Sequence, residues 1–387
     1  KMISWKDSVV DKLRGGIEGL LKKHGIEVIQ GIARFTSSKS VRIEGKSDVN
    51  TIEFKKCIVA TGSSSIEIPG FSFEDPLVMT SRQAVHLKEL PKKLVIIGGG
   101  YIGTEMGTVY GKLGSEVHIV EFQDRLISAL EKDLVDVVAQ RICQFNVQVH
   151  LNSKAVKFEN KGQTGIVHIE ENGKPTTIEC DKVLVVVGRK PNTHNIGLEN
   201  TKIKVDDHGF IPVDETMKTA DEHIYAIGDI VGQPMLAHKA SRQGKVAADV
   251  ICGEPSAFDN KVVPAVVFND PEIASVGMTK DQAEKAGYQV REGKFPFAAL
   301  GRAMTMNRPA GFVKIIADKK TNLVLGVHAV GTNVSDIVGE SALAIEMGAT
   351  LEDLAATIHP HPTIGESTME VADAALGRAI HAFYPKK

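Results

Sequence analysis

Gly98-Gly99-Gly100-Tyr101-Ile102-Gly103-Thr104-Glu105 is the stretch of this 387-residue chain whose types and spacing most clearly do chemistry. It follows the apolar run Leu94-Val-Ile-Ile and leads into a helix-like segment, which puts a G-x-G-x-x-G spacing at a strand-to-helix corner. Gly98 permits the tight turn, Gly100 lets the backbone approach a pyrophosphate, and Gly103 lets helix and strand pack closely. The helix start offers free N–H groups and a positive dipole end to the phosphates. Val117-His-Ile-Val120 reads as the next strand, and Glu121 stands at its end, 18 residues past Gly103. A carboxylate there accepts from both ribose hydroxyls and repels a 2′-phosphate, which favours NAD over NADP. The competing reading is a Gly-rich turn in some other α/β unit; strand, helix and acid in one place argue for the dinucleotide.

His359-Pro360-His361-Pro362-Thr363-Ile364-Gly365-Glu366 is a second chemical feature. Prolines on either side of His361 fix φ and restrict the residues before them, so a side chain can be aimed. Glu366, five residues on, can reach back to an imidazole nitrogen, select its tautomer and make the other nitrogen a better base. That outlines a general-base dyad. Metal binding by His359 and His361 is one alternative, although no third ligand is evident nearby. An interface loop stiffened by proline is the other.

Two further strand ends carry polar groups. Ala226-Ile227-Gly228-Asp229 repeats the logic of a nucleotide site, with an acid at the carboxyl end of a buried strand; a loop-capping Asp is the plain alternative. Met235-Leu236-Ala237-His238 leads into a helix whose N-terminus could face a ligand that gains negative charge. Ala60-Thr61-Gly62 is a third Gly-terminated strand end.

The elements that must hold these groups read as an α/β protein large enough for two to three domains. Hydrophobic content of 42% and charged content of 24% are ordinary for a globular chain, and a formal net charge of −2 gives no nucleic-acid or membrane surface. No apolar run approaches a membrane span. Cys57, Cys143, Cys180 and Cys252 lie far apart, without metal or redox-pair spacing, as reduced thiols in a cytoplasmic setting would. A mitochondrial matrix location is the alternative.

Along the chain, an amphipathic helix is expected over 4–24, then strands at Ile26–Gln30, Ala33–Phe35, Ser40–Ile43, Thr51–Phe54 and Lys56–Ala60. A β-α-β unit starts at Pro91, with hairpin signals at Asn172-Gly173 and Asp207-His208-Gly209. A mixed antiparallel sheet with helices near Val334–Met347 and Leu351–Ala356 follows Val262. The implied division is residues 1–90, 91–215, 216–261 and 262–387.

Taken together, Ala60–Ser63, Gly98–Glu105 with Glu121, Gly188-Arg189-Lys190-Pro191-Asn192, Tyr225–Asp229, Met235–Lys239 and His359–Glu366 resemble the flavin-dependent pyridine nucleotide–disulfide oxidoreductases along the whole chain. Glu121 and Met235–Lys239 favour the lipoamide-oxidising branch over the NADPH-using glutathione-type reductases.

The resemblance implies two Rossmann-like nucleotide-binding domains, the FAD domain incomplete, and a C-terminal α+β dimerisation domain. Residues 1–90 would belong to the FAD domain, 91–215 would bind NAD, 216–261 would return to FAD, and 262–387 would form the dimer interface. Thr61, Gly62, Ser63, Asp229, Met235, Leu236, Ala237 and His238 would bind FAD; Gly98–Glu105, Glu121 and Gly188 would bind NAD. His361, held by Glu366, would accept a thiol proton from dihydrolipoamide bound to a lipoyl domain of a 2-oxo acid dehydrogenase or glycine cleavage complex, and would act across a homodimer interface. No metal, nucleic-acid or membrane role is implied. The family's first G-x-G-x-x-G and its redox pair, two cysteines five apart, have no counterpart here. The expectation is therefore a chain cut before residue 1, short by on the order of 80–100 residues. Such a chain would be inactive by itself. The alternatives are a non-catalytic NAD-binding and dimerisation fragment, or another disulfide reductase of the family.

Overall fold

The computed structural model describes residues 1–45 and 50–383. They form two compact units, one built from Lys1–Ser64, His86–Lys88 and Arg189–Asp259, the other from Ser65–Val85, Glu89–Gly188 and Asn260–Lys387.

The first unit opens with the helix Met2–Lys23, which has no buried residue; its apolar stripe, including Trp5, Leu13 and Ile17, is exposed. The strands Ile32–Ser37, Ser40–Glu44 and Thr51–Glu53 form an antiparallel sheet. The expected strand Ile26–Gln30 is not formed. Ile26 and Val28 are exposed, so no buried face rewards an extended pairing there. Cys57–Val59 and Ile224–Ala226 pair in parallel, and the helix Ala237–Ile251 follows. Phe35, Val59, Leu198, Ile211, Ile224 and Ile230 share one core. Residues 189–215 belong to this unit, because Asn192 accepts through its backbone carbonyl from the Thr61 hydroxyl and Leu198 joins that core.

In the second unit a five-stranded parallel sheet runs in the order Val78–Met79, Lys182–Val185, Lys93–Ile97, Glu116–Val120, Val147–His150. Leu94, Val95 and Ile96 are fully buried, as strands covered on both faces require. The helix Tyr101–Leu113 crosses between two of these strands. An antiparallel sheet of Ser153–Asn160, Gly165–Glu171 and Lys174–Cys180 follows, its second turn made by Asn172 and Gly173, both at positive φ. At Asp207-His208-Gly209 the expected hairpin is a tight turn without flanking strands: the Gly209 N–H donates to the Asp206 carbonyl over 3.0 Å.

The C-terminal sheet is antiparallel throughout, in the order Ala265–Val267, Glu272–Gly277, Val324–Gly331, Phe312–Asp318, Val290–Pro296. Helices Val338–Met347, Leu351–Ala356 and Glu366–Leu376 pack with it around Phe295, Phe297, Val313, Leu351 and Val371. The strand Val290–Pro296 and the helix Glu366–Leu376 escape the sequence reading. The first alternates charged residues with its buried Gly293 and Phe295, and the second begins inside the His/Pro motif.

Lys314 is a buried cation in the middle of this sheet. Its Nζ lies 3.0 Å from Glu131 Oε1 and 3.0 Å from Asp133 Oδ1, while Lys294 reaches Asp133 at 3.2 Å. Burial raises the Asp133 carboxyl, but the hydrogen bonds and charges of Lys314 and Lys294 outweigh it and hold the group below the carboxylate range. Stability from this depressed carboxyl is present above its unfolded pKa and is lost as pH falls through the folded one. Lys314→Met should lower the unfolding free energy in urea at neutral pH by about 2 kcal/mol, because Glu131 loses its lysine and Asp133 loses one of its two. The variant should also lose less stability on acidification than the parent; an equal acid loss in both would refute the pairing.

Candidate functional site

At Gly98 and Gly103 the strand-to-helix corner is built from backbone contacts that leave no room for side chains. Gly98 has φ 108°, and a Cβ on it would meet the Val186 carbonyl oxygen at 2.7 Å. A Cβ on Gly103 would lie 1.9 Å from the Gly98 carbonyl oxygen, so the helix start and the turn touch through backbone alone. Around Gly100 the opposite holds: beyond its own chain neighbours nothing lies within 4 Å of where its Cβ would be. That face is open to an incoming group. Gly100 caps the helix Tyr101–Leu113 without a side-chain hydrogen bond, so the first-turn N–H groups have no capping partner.

Glu121 departs in one respect from the sequence expectation. Its carboxylate is already braced by the protein, with Oε2 accepting from the Gly99 N–H over 2.6 Å and Oε1 from the Gln123 N–H over 2.8 Å. Each oxygen retains a lone pair, so a ribose diol can still donate to it, and the bracing fixes its direction. A cavity of about 320 Å³ opens beside it, lined by Gly98, Glu121, Phe122, Gln123, Lys154 and Val187. Gly188, at φ 149°, follows directly and accepts from the Ile66 N–H. Tyr101, Ile102, Thr104 and Glu105 lie on the helix. Glu105 turns away from the corner to accept from the Phe268 N–H at 2.8 Å, and burial raises its pKa against that bond. Thr104 donates back to the Gly100 carbonyl.

Thr61, Gly62, Ser63, Asp229 and Met235–His238 all fall in the first unit. The Ser63 hydroxyl donates to Asp229 Oδ2, while Arg189 donates through Nε to Ser63 Oγ at 2.7 Å and through Nη2 to the Ser63 carbonyl. Asp229 keeps a second oxygen for a ligand hydroxyl. Leu236 caps the helix Ala237–Ile251 without a side-chain bond, and the positive end of the helix dipole lies there. Lys239, buried behind them, ties the loop by donating to the Gly232 carbonyl at 2.7 Å and to Pro234 at 3.1 Å. Burial lowers its pKa, with the charge of Asp229 opposing. A helix start and a directed carboxylate fit the anionic, hydroxyl-bearing chain of FAD. Arg189 and Gln243, whose side chain accepts from the Gly228 N–H, are supports the sequence did not single out; Arg189 stood in the quoted Gly188–Asn192 stretch.

His361 Nδ1 and Glu366 Oε1 are 2.8 Å apart. A carboxylate only accepts, so Nδ1 carries a proton, and in the neutral ring Nε2 is the nitrogen that has the lone pair. The second Glu366 oxygen accepts from the Thr363 N–H at 2.8 Å, an anchor the sequence did not reveal. The carboxylate is thus held from both sides, while the His361 side chain is 76% exposed and can meet a group from outside this chain. His359 is different. Its Nε2 faces Glu340 at 2.8 Å and its Nδ1 faces the Thr357 carbonyl at 2.9 Å, so it is engaged at both nitrogens and is not placed as a metal ligand beside His361.

A glycine corner at a parallel sheet, a second strand end of the nucleotide-binding type and an exposed imidazole–carboxylate pair are features of the nucleotide-dependent oxidoreductases. The chain belongs to the pyridine nucleotide-disulphide oxidoreductases: that family's model matches residues 2–244, and the model of its dimerisation domain matches residues 263–372. FAD and NAD are the cofactors of this enzyme, and the homodimer is its assembly. It is 48% identical over 383 residues to a dihydrolipoyl dehydrogenase of Haloferax volcanii, a match covering 97% of this chain and 80% of the relative. A dihydrolipoyl dehydrogenase of Bacillus subtilis is 47% identical over 382 residues, covering 98% and 81%. Among solved structures, the HOCl-induced flavoprotein disulfide reductase RclA from Escherichia coli superposes with TM-score 0.88 at 29% identity, covering 96% of this chain and 85% of that one.

Proposed function

We propose that the protein oxidises dihydrolipoamide carried on a lipoyl domain of a 2-oxo acid dehydrogenase or glycine cleavage complex, with NAD⁺ as acceptor. The net reaction is dihydrolipoyl dithiol plus NAD⁺ to lipoyl disulfide, NADH and H⁺. Gly98–Glu105, Glu121 and Gly188 hold NAD. Thr61, Gly62, Ser63, Asp229, Met235, Leu236, Ala237 and His238 hold FAD. Bound flavin supplies a two-electron relay between sulfur and nicotinamide. The chain's own residues place these groups, and His361 Nε2 accepts the thiol proton while Glu366 fixes the ring. Thiolate is the reactive species in exchange with the family's redox disulfide, whose two cysteines are not among the four of this chain, so a base at this point has a defined task. The exposed, carboxylate-held His361 is the observation that carries the reading. A reducing compartment, the cytoplasm in our reading, suits four free cysteines.

Dihydrolipoamide and NAD⁺ given to the homodimer with flavin and the family's redox disulfide in place should yield NADH, and NADP⁺ should substitute poorly. A flavin-loaded homodimer that makes no NADH from this dithiol, yet reduces another disulfide, would replace the substrate. One observation favours a second reading, NAD binding and dimerisation without turnover: the four cysteines are free and lie on separate segments. A colourless preparation that binds NAD⁺ would select it.

The NAD assignment has its own check. Glu121→Ala should weaken NAD⁺ binding by on the order of 10-fold and narrow the preference over NADP⁺, because a charged acceptor for the ribose is lost. Titration calorimetry reads both, and unchanged affinity for the two dinucleotides would remove Glu121 from the site.

A further inference from the structure

Beneath the dinucleotide corner four ionisable side chains form a line. Glu116 Oε1 is 2.9 Å from His118 Nε2, His118 Nδ1 is 3.0 Å from His150 Nε2, and His150 Nδ1 is 3.0 Å from Glu171 Oε1. The two rings are nearly coplanar, 18° between their planes with centroids 5.3 Å apart, so they meet edge to edge through the inner nitrogens. Lys93, from the adjoining strand, sits 3.0 Å from Glu116. The four members come from three strands, Glu116–Val120, Val147–His150 and Gly165–Glu171.

Hydrogen-bond arithmetic fixes the proton count. Ionised carboxylates only accept, so His118 Nε2 and His150 Nδ1 must each carry a proton. The inner nitrogen pair needs one more. Three protons on two rings make a single positive charge between two anions. Burial, together with the charges of His150 and Lys93 and against the pull of Glu116, holds His118 below the ordinary histidine range. The extra proton lies in the inner contact, between His118 Nδ1 and His150 Nε2. When it leaves, two lone pairs face each other across the inner contact, or a bare nitrogen faces a carboxylate.

The line is wired to the cavity by backbone. The His150 carbonyl accepts from the Glu121 N–H over 2.9 Å, and the Glu121 carbonyl accepts from the Ser153 N–H over 2.9 Å. Ser153 pairs in register with Glu171, and Ser153 and Lys154 line the cavity beside Glu121.

We propose that His118 and His150 are positioning residues for the dinucleotide, and that the proton shared between their rings fastens the strand ends carrying Glu121 and the cavity wall. This rests on the reading of Gly98–Glu105 and Glu121 as the NAD site. The protonated line favours the binding geometry, so NAD⁺ affinity falls as pH rises through the imidazole range. The diphosphate stays ionised throughout and contributes no slope.

The test is equilibrium binding of NAD⁺ to the homodimer, without dithiol, between about pH 6 and about pH 8. The parent protein should weaken by about 5-fold across that range. His150→Gln should flatten the profile. Glu171→Gln, which keeps the shape and removes one anion, should move its midpoint to lower pH, a change that a merely structural role would not produce. Should His150→Gln fail to fold, nitrogen NMR of the parent's histidines decides: one imidazolium and one neutral ring sharing a proton at the acidic end support the proposal, and two neutral rings there overturn it. Profiles of parent and variants that coincide also overturn it, provided Glu121→Ala weakens binding. If Glu121→Ala binds like the parent, the NAD site itself is misplaced and both readings fall.

Discussion

In the homodimer with flavin and the family's redox disulfide in place, His361→Gln should lower the turnover of dihydrolipoamide by about 1,000-fold, in the range general-base removal commonly costs, while leaving hydride exchange between NADH and an NAD⁺ analogue near the parent rate. Glutamine keeps the polarity and much of the reach of histidine but offers no basic nitrogen. The exposed Nε2 is the group lost, since Nδ1 is spent on Glu366 at 2.8 Å. Free thiols at neutral pH are only a few per cent ionised, so some thiolate attack persists and sets a floor under the loss. The defect should lie in kcat more than in KM, because a side chain that is 76% exposed holds little of the substrate. Glu366→Gln should give a smaller loss of the same kind. Its amide oxygen can still accept from the Thr363 N–H, but the ring then faces a group that no longer dictates one tautomer. Stopped-flow and steady-state rates measured with dithiol, and separately with nicotinamide pairs alone, separate the two half-reactions. Equal losses in both would mean that His361 supports the fold or the flavin rather than the thiol step.

The parts of this protein that were legible in its sequence are those where backbone geometry restricts the residue type. At Gly103 even one methyl group collides with the Gly98 carbonyl, and at Gly98 a positive φ excludes most side chains; restrictions of that kind leave glycine in the sequence as a visible record. The buried strand Leu94–Ile97 is similarly plain, because a parallel strand covered on both faces is a continuous apolar run. Legibility fails where the deciding partner lies far along the chain. Nothing local tells Ile26–Gln30 that no sheet awaits it. The strand Val290–Pro296 is strand-like only beside Phe312–Asp318. The Glu116–Glu171 line joins residues 55 positions apart, and its members look like four unremarkable surface groups until the strands meet. The bracing of Glu121 by the Gly99 amide shows the intermediate case: the acid was readable from spacing, but its fixed direction comes from a turn that only the folded chain supplies.

Gly103→Ala should abolish measurable NAD⁺ binding, with a loss of at least about 100-fold, and should destabilise the second unit. Helix propensity alone predicts the reverse, since alanine is favoured over glycine inside a helix by about 1 kcal/mol. Sterics decide the sign. The new methyl would sit 1.9 Å from the Gly98 carbonyl oxygen and 3.4 Å from Ile96, and neither a backbone carbonyl in a tight turn nor a fully buried strand can yield without moving the corner. Moving it displaces the Gly99 N–H from Glu121 and tilts the first-turn amides away from the diphosphate, so binding and stability fall together. Gly100→Ala is the informative partner. Gly100 has φ −75°, which alanine adopts freely, and its Cβ would meet nothing within 4 Å. The empty protein should therefore unfold at the same denaturant concentration as the parent, yet NAD⁺ should bind at least about 10-fold more weakly, because the methyl occupies the face by which the ligand approaches. Binding by Gly100→Ala at the parent's affinity would show that the dinucleotide does not enter across this turn, whatever the fate of Gly103→Ala.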